Sequence, residues 1–118
     1  MREQRNDPKR LQDILQAIDT IFQYVDGRDM QEFLVDKKSY HAVIYNIMII
    51  GEAANMLTFE FRELHNELQW RQITNMRNFL IHGYQNVEED LVWEAISTDL
   101  YPIREKLVKY LEEIESLK

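Results

Sequence analysis

Apolar residues recur at steps of three and four along most of the chain, which is the spacing of one face of an α-helix. The clearest run begins after Asp7 and Pro8, a pair that suits the N-cap and the first turn of a helix, and it stops at Gly27. Its apolar positions are Leu11, Ile14, Leu15, Ile18, Ile21, Phe22 and Val25. The pattern predicts a first amphipathic helix between Asp7 and Gly27.

The same spacing predicts further helices downstream. A short helix is expected after Asp29, because Glu32 follows three residues later in the spacing of a capping box. A long helix is expected from about residue 37 to residue 57, with an apolar arc wide enough for a central position. Residues 58–69 are a polar connection with a short helical segment, and residues 70–83 form a fourth helix that begins with Trp70.

The last third of the chain predicts helix again from about residue 87. A kink or break is expected near residues 99–101, because Pro102 lacks a backbone N–H and its ring clashes with the preceding turn. No segment shows the period-two alternation of a strand, and no linker, repeat or low-complexity tract divides the chain. The predicted fold class is therefore all-α, an antiparallel bundle of four to five helices, with residues 1–118 as a single domain.

Composition removes several kinds of chemistry. Of the 118 residues, 45% are hydrophobic and 30% are charged, which is typical of a folded domain. The absence of cysteine excludes disulfides, thiolate zinc sites and cysteine nucleophiles. The longest aliphatic run, residues 47–50, is far too short for a membrane span, and the N-terminus shows no secretory signal. We expect a cytoplasmic protein with no membrane association, no cofactor and no metal site.

The charge is uneven. The formal net charge is -7, and residues 86–118 hold 4 basic and 9 acidic side chains. A protein that grips long nucleic acid non-specifically needs a basic face. Any nucleic-acid role of this chain is therefore expected to be local, to be assisted by a second subunit, or to be weak.

One short segment concentrates reactive side chains at the end of the predicted fourth helix: Arg77, Asn78, His82 and Tyr84. Arginine offers a planar, permanently charged fork for phosphoryl oxygens, and histidine serves as general acid or base near neutral pH. The C-terminal end of a helix favours imidazolium, and Asn78 is able to orient either group. This set suits metal-free RNA cleavage, in which a 2′-hydroxyl attacks its adjacent phosphate. Equally, Arg77 can pair with a carboxylate while His82 caps the helix.

The helical wheel separates Arg77 and His82 by about 140°, so one copy does not present them on one face, whereas a second copy can bring the two groups together. Glu52 is either a supporting partner for Arg77 or a surface or interface carboxylate. Trp70 and Trp93 suit the core or an interface, with base stacking as the alternative. For Tyr84 the residue pattern alone favours a half-buried, hydrogen-bonded aromatic.

The spacing Arg-x4-His-x-Tyr, formed by Arg77, His82 and Tyr84, resembles the motif of HepT-type toxins, a branch of the HEPN ribonuclease superfamily. The resemblance extends to DPKRLQDILQAIDTI (7–21), to IIGEAAN (49–55) and to WRQITNMRNFLIHGYQNVEEDLVWEAISTDL (70–100). It covers nearly the whole chain in order and spacing. One small departure is Glu88, which stands where aspartate is expected.

The resemblance implies an all-α, HEPN-like homodimer that acts as a metal-independent RNA endonuclease. It would be the toxin of a type II/VII-like toxin–antitoxin pair, with Arg77 and His82 as catalytic residues and Asn78 at the polar position beside them. The implied partner is an MNT-type nucleotidyltransferase antitoxin that transfers AMP from ATP to Tyr84. The added bulk and negative charge would then exclude an RNA phosphate.

Two other functions remain open on the residues alone. In the first, the chain is a non-catalytic helical subunit of a nucleotidyltransferase complex, and Arg77 binds a nucleotide phosphate without cleaving anything. In the second, the chain is a structural dimer whose motif holds the interface together.

Overall fold

Helices account for nearly all of the structure. The computed structural model describes residues 6–82 and 89–117, and the side chains of residues 6–76 and 89–117. The helices are α1 (Asp7–Val25), α2 (Met30–Val35), α3 (Lys37–Met56), α4 (Phe59–Leu64), α5 (Trp70–His82), α6 (Glu89–Glu94) and α7 (Leu100–Ser116), with a π-helical turn at Ala95–Asp99. Neither described range contains a strand, so the all-α prediction is confirmed.

Side-chain contacts at the helix ends show that α1 and α3 run antiparallel. The Asp7 carboxylate, at the start of α1, accepts hydrogen bonds from the backbone N–H (3.0 Å) and hydroxyl (2.7 Å) of Thr58, just after α3. Arg28, just after α1, donates to Asp36, just before α3, at 2.9 Å. We call the end that holds Asp7 and Thr58 the terminal end, and the end that holds Arg28 and Asp36 the motif end.

Helix α5 returns from the terminal end to the motif end. At its start, the Trp70 indole N–H donates to the His65 carbonyl at 2.9 Å. Further along, Met76 lines a groove together with Asp99 and Ile103 at the start of α7. Because Glu67, before α5, meets Tyr110 near the other end of α7 at 3.2 Å, α5 and α7 are antiparallel.

The final helical stretch completes the bundle by packing against α1. Arg104 donates to Asp19 at 2.6 Å, and the rings of Tyr101 and Phe22 stack with their centroids 4.4 Å apart. Four long helical segments therefore alternate in direction, and the short helices α2 and α4 connect them. This arrangement agrees with the predicted antiparallel bundle.

The core lies along the bundle axis and takes its side chains from every long helix. Its fully buried large residues are Leu11, Ile14, Ile18, Ile21, Phe33, Val43, Ile50, Ile96, Leu100, Leu107 and Tyr110. The apolar stripe predicted for α1 thus faces the core, although Leu15, Phe22 and Val25 are only partly buried. No helix in the described ranges is long and apolar enough to cross a lipid bilayer.

The kink or break predicted near residues 99–101 takes the form of an interruption of the regular helical ladder at Ala95–Asp99, and the helix does not end there. Helix continues from Glu89 to Ser116, with the π-helical turn Ala95–Asp99 placed just before Pro102. The Leu100 N–H bonds to the Ala95 carbonyl, five residues back. A π-helical turn is one of the ways in which a helix interrupts the regular ladder, so the chain passes the proline without ending.

The starts of α1 and α2 show one failed and one confirmed prediction. Helix α1 begins at Asp7 itself, with Asn6 as N-cap, and the Asp7 side chain binds Thr58 instead of capping the helix. At α2, Asp29 accepts from the Glu32 N–H at 2.8 Å and the Glu32 carboxylate accepts from the Asp29 N–H at 3.1 Å. The capping box is therefore confirmed.

Candidate functional site

Three of the four motif residues lie in the second half of α5. The first half of this helix is fixed in the core, since Trp70 and Ile73 are 6% and 4% exposed. From this anchor the helix continues without interruption through Arg77 and Asn78 to His82, its last residue. The side chains of these three residues, and Tyr84 and Glu88 entirely, lie outside the described residues.

The backbone of α5 sets the relative position of Arg77 and His82. Five residues of α-helix separate two Cα atoms by about 7.5 Å along the axis and by about 140° around it. Since α5 is helical as far as His82, this relation holds for the pair. The two Cα atoms therefore lie on different sides of the α5 axis, and a substrate that meets both residues must lie across the helix end or between two copies of it.

The motif end of the bundle is organised by a polar cluster that connects α1 to α3. Arg28 donates to Asp36 Oδ2 at 2.9 Å and to Ser39 Oγ at 3.3 Å, and the Ser39 hydroxyl donates to Asp36 Oδ2 at 2.7 Å. The hydrogen bonds from Ser39, followed by those from Arg28, lower the pKa of Asp36 to about 2. This cluster holds the ends of α1 and α3 together at the motif end, on the side of the bundle opposite to Asp7 and Thr58.

The start of α6 also lies at the motif end. Burial raises the pKa of Tyr40, near the N-terminus of α3, and the negative charge of Glu89 raises it further. The neighbouring Trp93 ring lies 5.7 Å from Phe33 of α2. His82 and Glu89, which flank Tyr84 in the chain, therefore both belong to the motif end.

The remaining candidates occupy different environments. Glu52 is exposed on α3, the helix that packs between α1 and α5, and its supporting role toward Arg77 stays a prediction. Trp70 is a core residue, whereas Trp93 is partly buried. Among the described side chains, no group of three or more histidines and carboxylates is placed to hold a metal ion.

A groove that the sequence pattern did not predict lies at the motif end, between α1 and the helical stretch that holds α6 and α7. It is lined by Phe22, Trp93 and Tyr101, with Gly27 and Arg28 at its rim, and we call it the aromatic groove. The spacing of Trp93 and Tyr101 could have predicted one side of this groove, because the two residues are two turns apart on one continuous helix. The interruption expected at residues 99–101 assigned them to separate segments. The groove has a volume of ≈ 440 Å³.

Comparison with known proteins points to one family. The family model described as "Ribonuclease HepT-like" matches residues 14–114. The chain is 36% identical to the "Probable ribonuclease HepT" of Thermococcus cleftensis, over 84% of this chain and 90% of that protein. It is 37% identical to a "Putative RNase" of Caldanaerobacter subterraneus subsp. tengcongensis, over 84% of this chain and 88% of that protein.

A further relative is a larger protein. The chain is 36% identical to a "Gamma-glutamylcyclotransferase and putative RNase" of Methanocaldococcus jannaschii over 92% of its own length, and it spans about half (49%) of that relative. No solved structure gives a significant match to the chain. With a family model that covers most of the bundle, and relatives of similar length above 30% identity, the chain belongs to the HepT-like ribonuclease family.

Proposed function

We propose that this chain is a metal-independent RNA endonuclease, the toxin of a toxin–antitoxin pair, with Arg77 and His82 as catalytic residues. The observation that carries the proposal is the unbroken helix α5, which brings Arg77, Asn78 and His82 to the motif end of the bundle. Membership of a family named for ribonucleases supports RNA as the substrate.

The chemistry follows from the two side chains. An imidazole of His82 accepts the proton of a ribose 2′-hydroxyl, and the 2′-oxygen forms a bond to the adjacent phosphorus. The P–O5′ bond breaks, and the 5′-oxygen takes a proton from an imidazolium. The products are a 2′,3′-cyclic phosphate and a 5′-hydroxyl end, while the Arg77 guanidinium binds the phosphoryl oxygens throughout. Asn78 and Glu52 are proposed to position these groups.

A homodimer would supply both proton-transfer groups. Because Arg77 and His82 leave α5 about 140° apart, one copy does not surround a phosphate with them. Two copies that meet at their motif ends bring two guanidinium groups and two imidazoles to one cleft. Such a cleft also concentrates positive charge in a chain whose net charge is -7.

Regulation is proposed to act on Tyr84. An MNT-type nucleotidyltransferase antitoxin would transfer AMP from ATP to the phenolic oxygen, releasing pyrophosphate. The chain positions on either side of Tyr84, His82 and Glu89, lie at the motif end, so the attached nucleotide would stand beside the RNA phosphate. Its charge and bulk then exclude the substrate.

The first experiment measures cleavage of a 5′-labelled RNA in EDTA by the protein purified without its partner. Arg77→Ala and His82→Ala are each expected to slow cleavage at least about 100-fold, the scale of a lost general acid–base group. Arg71→Ala on the same helix and His41→Ala on α3, both exposed, are the matched controls and keep the wild-type rate. End analysis should find a cyclic phosphate.

Two results would overturn the catalytic assignment. Cleavage that His82→Ala leaves unchanged removes the histidine from the reaction, and activity that depends on added Mg²⁺ contradicts the metal-free chemistry. A protein that binds ATP or AMP in calorimetry but leaves every RNA intact is instead a nucleotide-binding subunit.

The second experiment tests the modification. After co-expression with an MNT-type nucleotidyltransferase, tandem mass spectrometry across residues 77–88 should find an AMP-sized increment on Tyr84. Tyr84→Phe should abolish the increment and keep the RNA cleavage, whereas Tyr45→Phe, at an exposed tyrosine of α3, should change neither. An unmodified Tyr84 beside an active partner would contradict this part of the proposal.

A further inference from the structure

The aromatic groove offers a flat, exposed ring surface. Phe22 and Tyr101 stack nearly in parallel, with an interplanar angle of 16° and centroids 4.4 Å apart. Tyr101 is 53% exposed although Phe22 covers one of its faces. Tyr101 therefore keeps exposed surface on which another planar ring can continue the stack.

The polar lining of the groove suits a nucleotide. Arg28 lies in the lining with its side chain 35% exposed, and its ion pair with Asp36 and its hydrogen bond to Ser39 hold the guanidinium in place. Gln23, also in the lining, carries an amide that both donates and accepts hydrogen bonds. Gly27 leaves open space, because a Cβ built there meets no atom within 4 Å. Aromatic faces next to arginine are the usual elements of single-stranded nucleic-acid sites.

The groove lies level with the motif half of α5. Met76 of α5 lines a pocket together with Asp99 and Ile103, and α5 runs antiparallel to α7. Residues 77–82 of α5 therefore lie toward the same end of the bundle as Trp93 and Ser97, which line the aromatic groove.

We propose that the aromatic groove binds a base of single-stranded RNA, stacked on Tyr101 and next to Trp93, with Arg28 facing the backbone phosphate. This inference rests on the proposed ribonuclease function and assigns part of its substrate site. Stacking is tolerant of base identity, because every base has a π-face. The groove therefore selects single-stranded over paired RNA and contributes little sequence preference.

The competing occupant is a second copy of the chain. The stacked Phe22–Tyr101 pair with Arg28 beside it favours a planar ring that carries a phosphate. The second copy is a distinct outcome of the test below.

Trp93 provides the readout. Trp70→Phe leaves Trp93 as the single tryptophan, since the chain has two. The probe is a 2′-O-methyl hexaadenylate, which lacks the attacking 2′-hydroxyl and is not cleaved. Binding is expected to quench Trp93 fluorescence. If Trp70→Phe does not fold, the difference between wild type and Trp93→Phe reports the same signal.

Substitutions at Tyr101 test the stacking. Tyr101→Ala is expected to weaken binding of the hexaadenylate about tenfold, within the range measured for loss of one base–aromatic stack. Tyr101→Phe keeps the ring and is expected to bind like wild type. Tyr45→Ala removes a comparably exposed tyrosine (64%) from α3 and serves as the control. Sedimentation equilibrium follows the mass of each variant.

Three outcomes overturn the inference. If the wild type cleaves RNA while Tyr101→Ala binds and cleaves like Tyr45→Ala, the groove is not a substrate site, although the proposed function survives. If Tyr101→Ala changes the subunit mass and leaves the affinity per chain unchanged, the groove is an interface between copies. If Trp93 is quenched equally with and without the Tyr101 ring, the base does not stack there. Absence of RNA cleavage by the wild-type protein would instead count against the proposed ribonuclease function.

Discussion

Removal of the Asp7 carboxylate should destabilise the bundle far more than removal of an ordinary helix-surface charge. Asp7 is 4% exposed and accepts two hydrogen bonds from Thr58, at 3.0 and 2.7 Å, which connect the start of α1 to the segment after α3. In Asp7→Ala both donors of Thr58 lose their partner. Hydrogen bonds to a charged acceptor contribute about 1.5–3 kcal/mol each. Because water reaches part of the half-buried Thr58, we expect a total loss of about 2–4 kcal/mol.

Urea unfolding followed by circular dichroism measures this loss directly. The matched control is Asp13→Ala on the same helix, where the carboxylate pairs with Lys9 at 2.7 Å and the lysine side chain is 66% exposed. Exposed pairs of this kind contribute at most about 0.5 kcal/mol. Asp7→Asn, which keeps one carbonyl acceptor, should fall between the two variants. Equal losses in Asp7→Ala and Asp13→Ala would refute the reasoning, since the connection between the two helices would then carry no energy.

Three further predictions concern the turn after α1 and the titration of two side chains. Gly27 has φ +71 and free space around it, so Gly27→Ala should cost about 1–2 kcal/mol from backbone strain alone, measured by thermal unfolding. A Gly27→Ala protein with an unchanged or higher melting temperature would contradict the predicted backbone strain. The pKa of Asp36 is lowered to about 2 by Ser39 and Arg28, so its contribution to stability is complete above the unfolded value of about 3.9 and is lost as pH falls toward 2. In Asp36→Asn the free energy of unfolding should fall less steeply between about pH 4 and pH 2. An unchanged pH dependence would refute the role of Asp36. Burial raises the pKa of Tyr110 to about 12, so the phenol stabilises the fold below about pH 10 and this stability is lost as pH rises toward 12. Absorbance titration at alkaline pH should lose its latest-titrating tyrosine in Tyr110→Phe, and an unchanged titration curve would contradict the assignment.

Local patterns predicted most of the helices because their signals lie within a few residues of one another. The apolar stripe from Leu11 to Ile21 defines α1, and the spacing of Asp29 and Glu32 defines the start of α2. Asp7 shows the limit of this reasoning. Its position next to Pro8 suggested an N-cap. Its carboxylate instead accepts hydrogen bonds from Thr58, which is distant in the sequence and close only in the folded bundle.

Pro102 shows a second limit, for a different reason. A proline predicts a break because the preceding carbonyls lose a partner, yet a π-helical turn can accommodate the same defect. The sequence nevertheless carries a signal for this turn. Val92, Ile96 and Leu100 are all buried and follow one another at steps of four, which in a regular α-helix would drift by about 80° over two steps. The wider turn at Ala95–Asp99 absorbs this drift.

The candidate site was predictable only in part. The types and spacing of Arg77, His82 and Tyr84 indicated phosphate chemistry, and resemblance gave that spacing its meaning. The helical wheel could not say whether the helix lasted as far as His82, which the backbone of α5 now shows. The aromatic groove could not be predicted from local sequence patterns, because it forms where Phe22 of α1 stacks on Tyr101 of α7, far away in the chain.

The π-helical turn makes the last helix sensitive to length as well as to composition. Deletion of one residue within Ala95–Asp99 would restore a regular α-helix, but it would rotate everything after it by about 100° relative to α6. Leu107 and Tyr110 would then turn away from the core while Val92 kept its place. A single-residue deletion there should therefore unfold the bundle, although the substitution of exposed Thr98 in the same turn is tolerated. The extra residue in the π-helical turn sets the rotation of α7 about its axis relative to α6. It therefore determines which side of α7 faces α1.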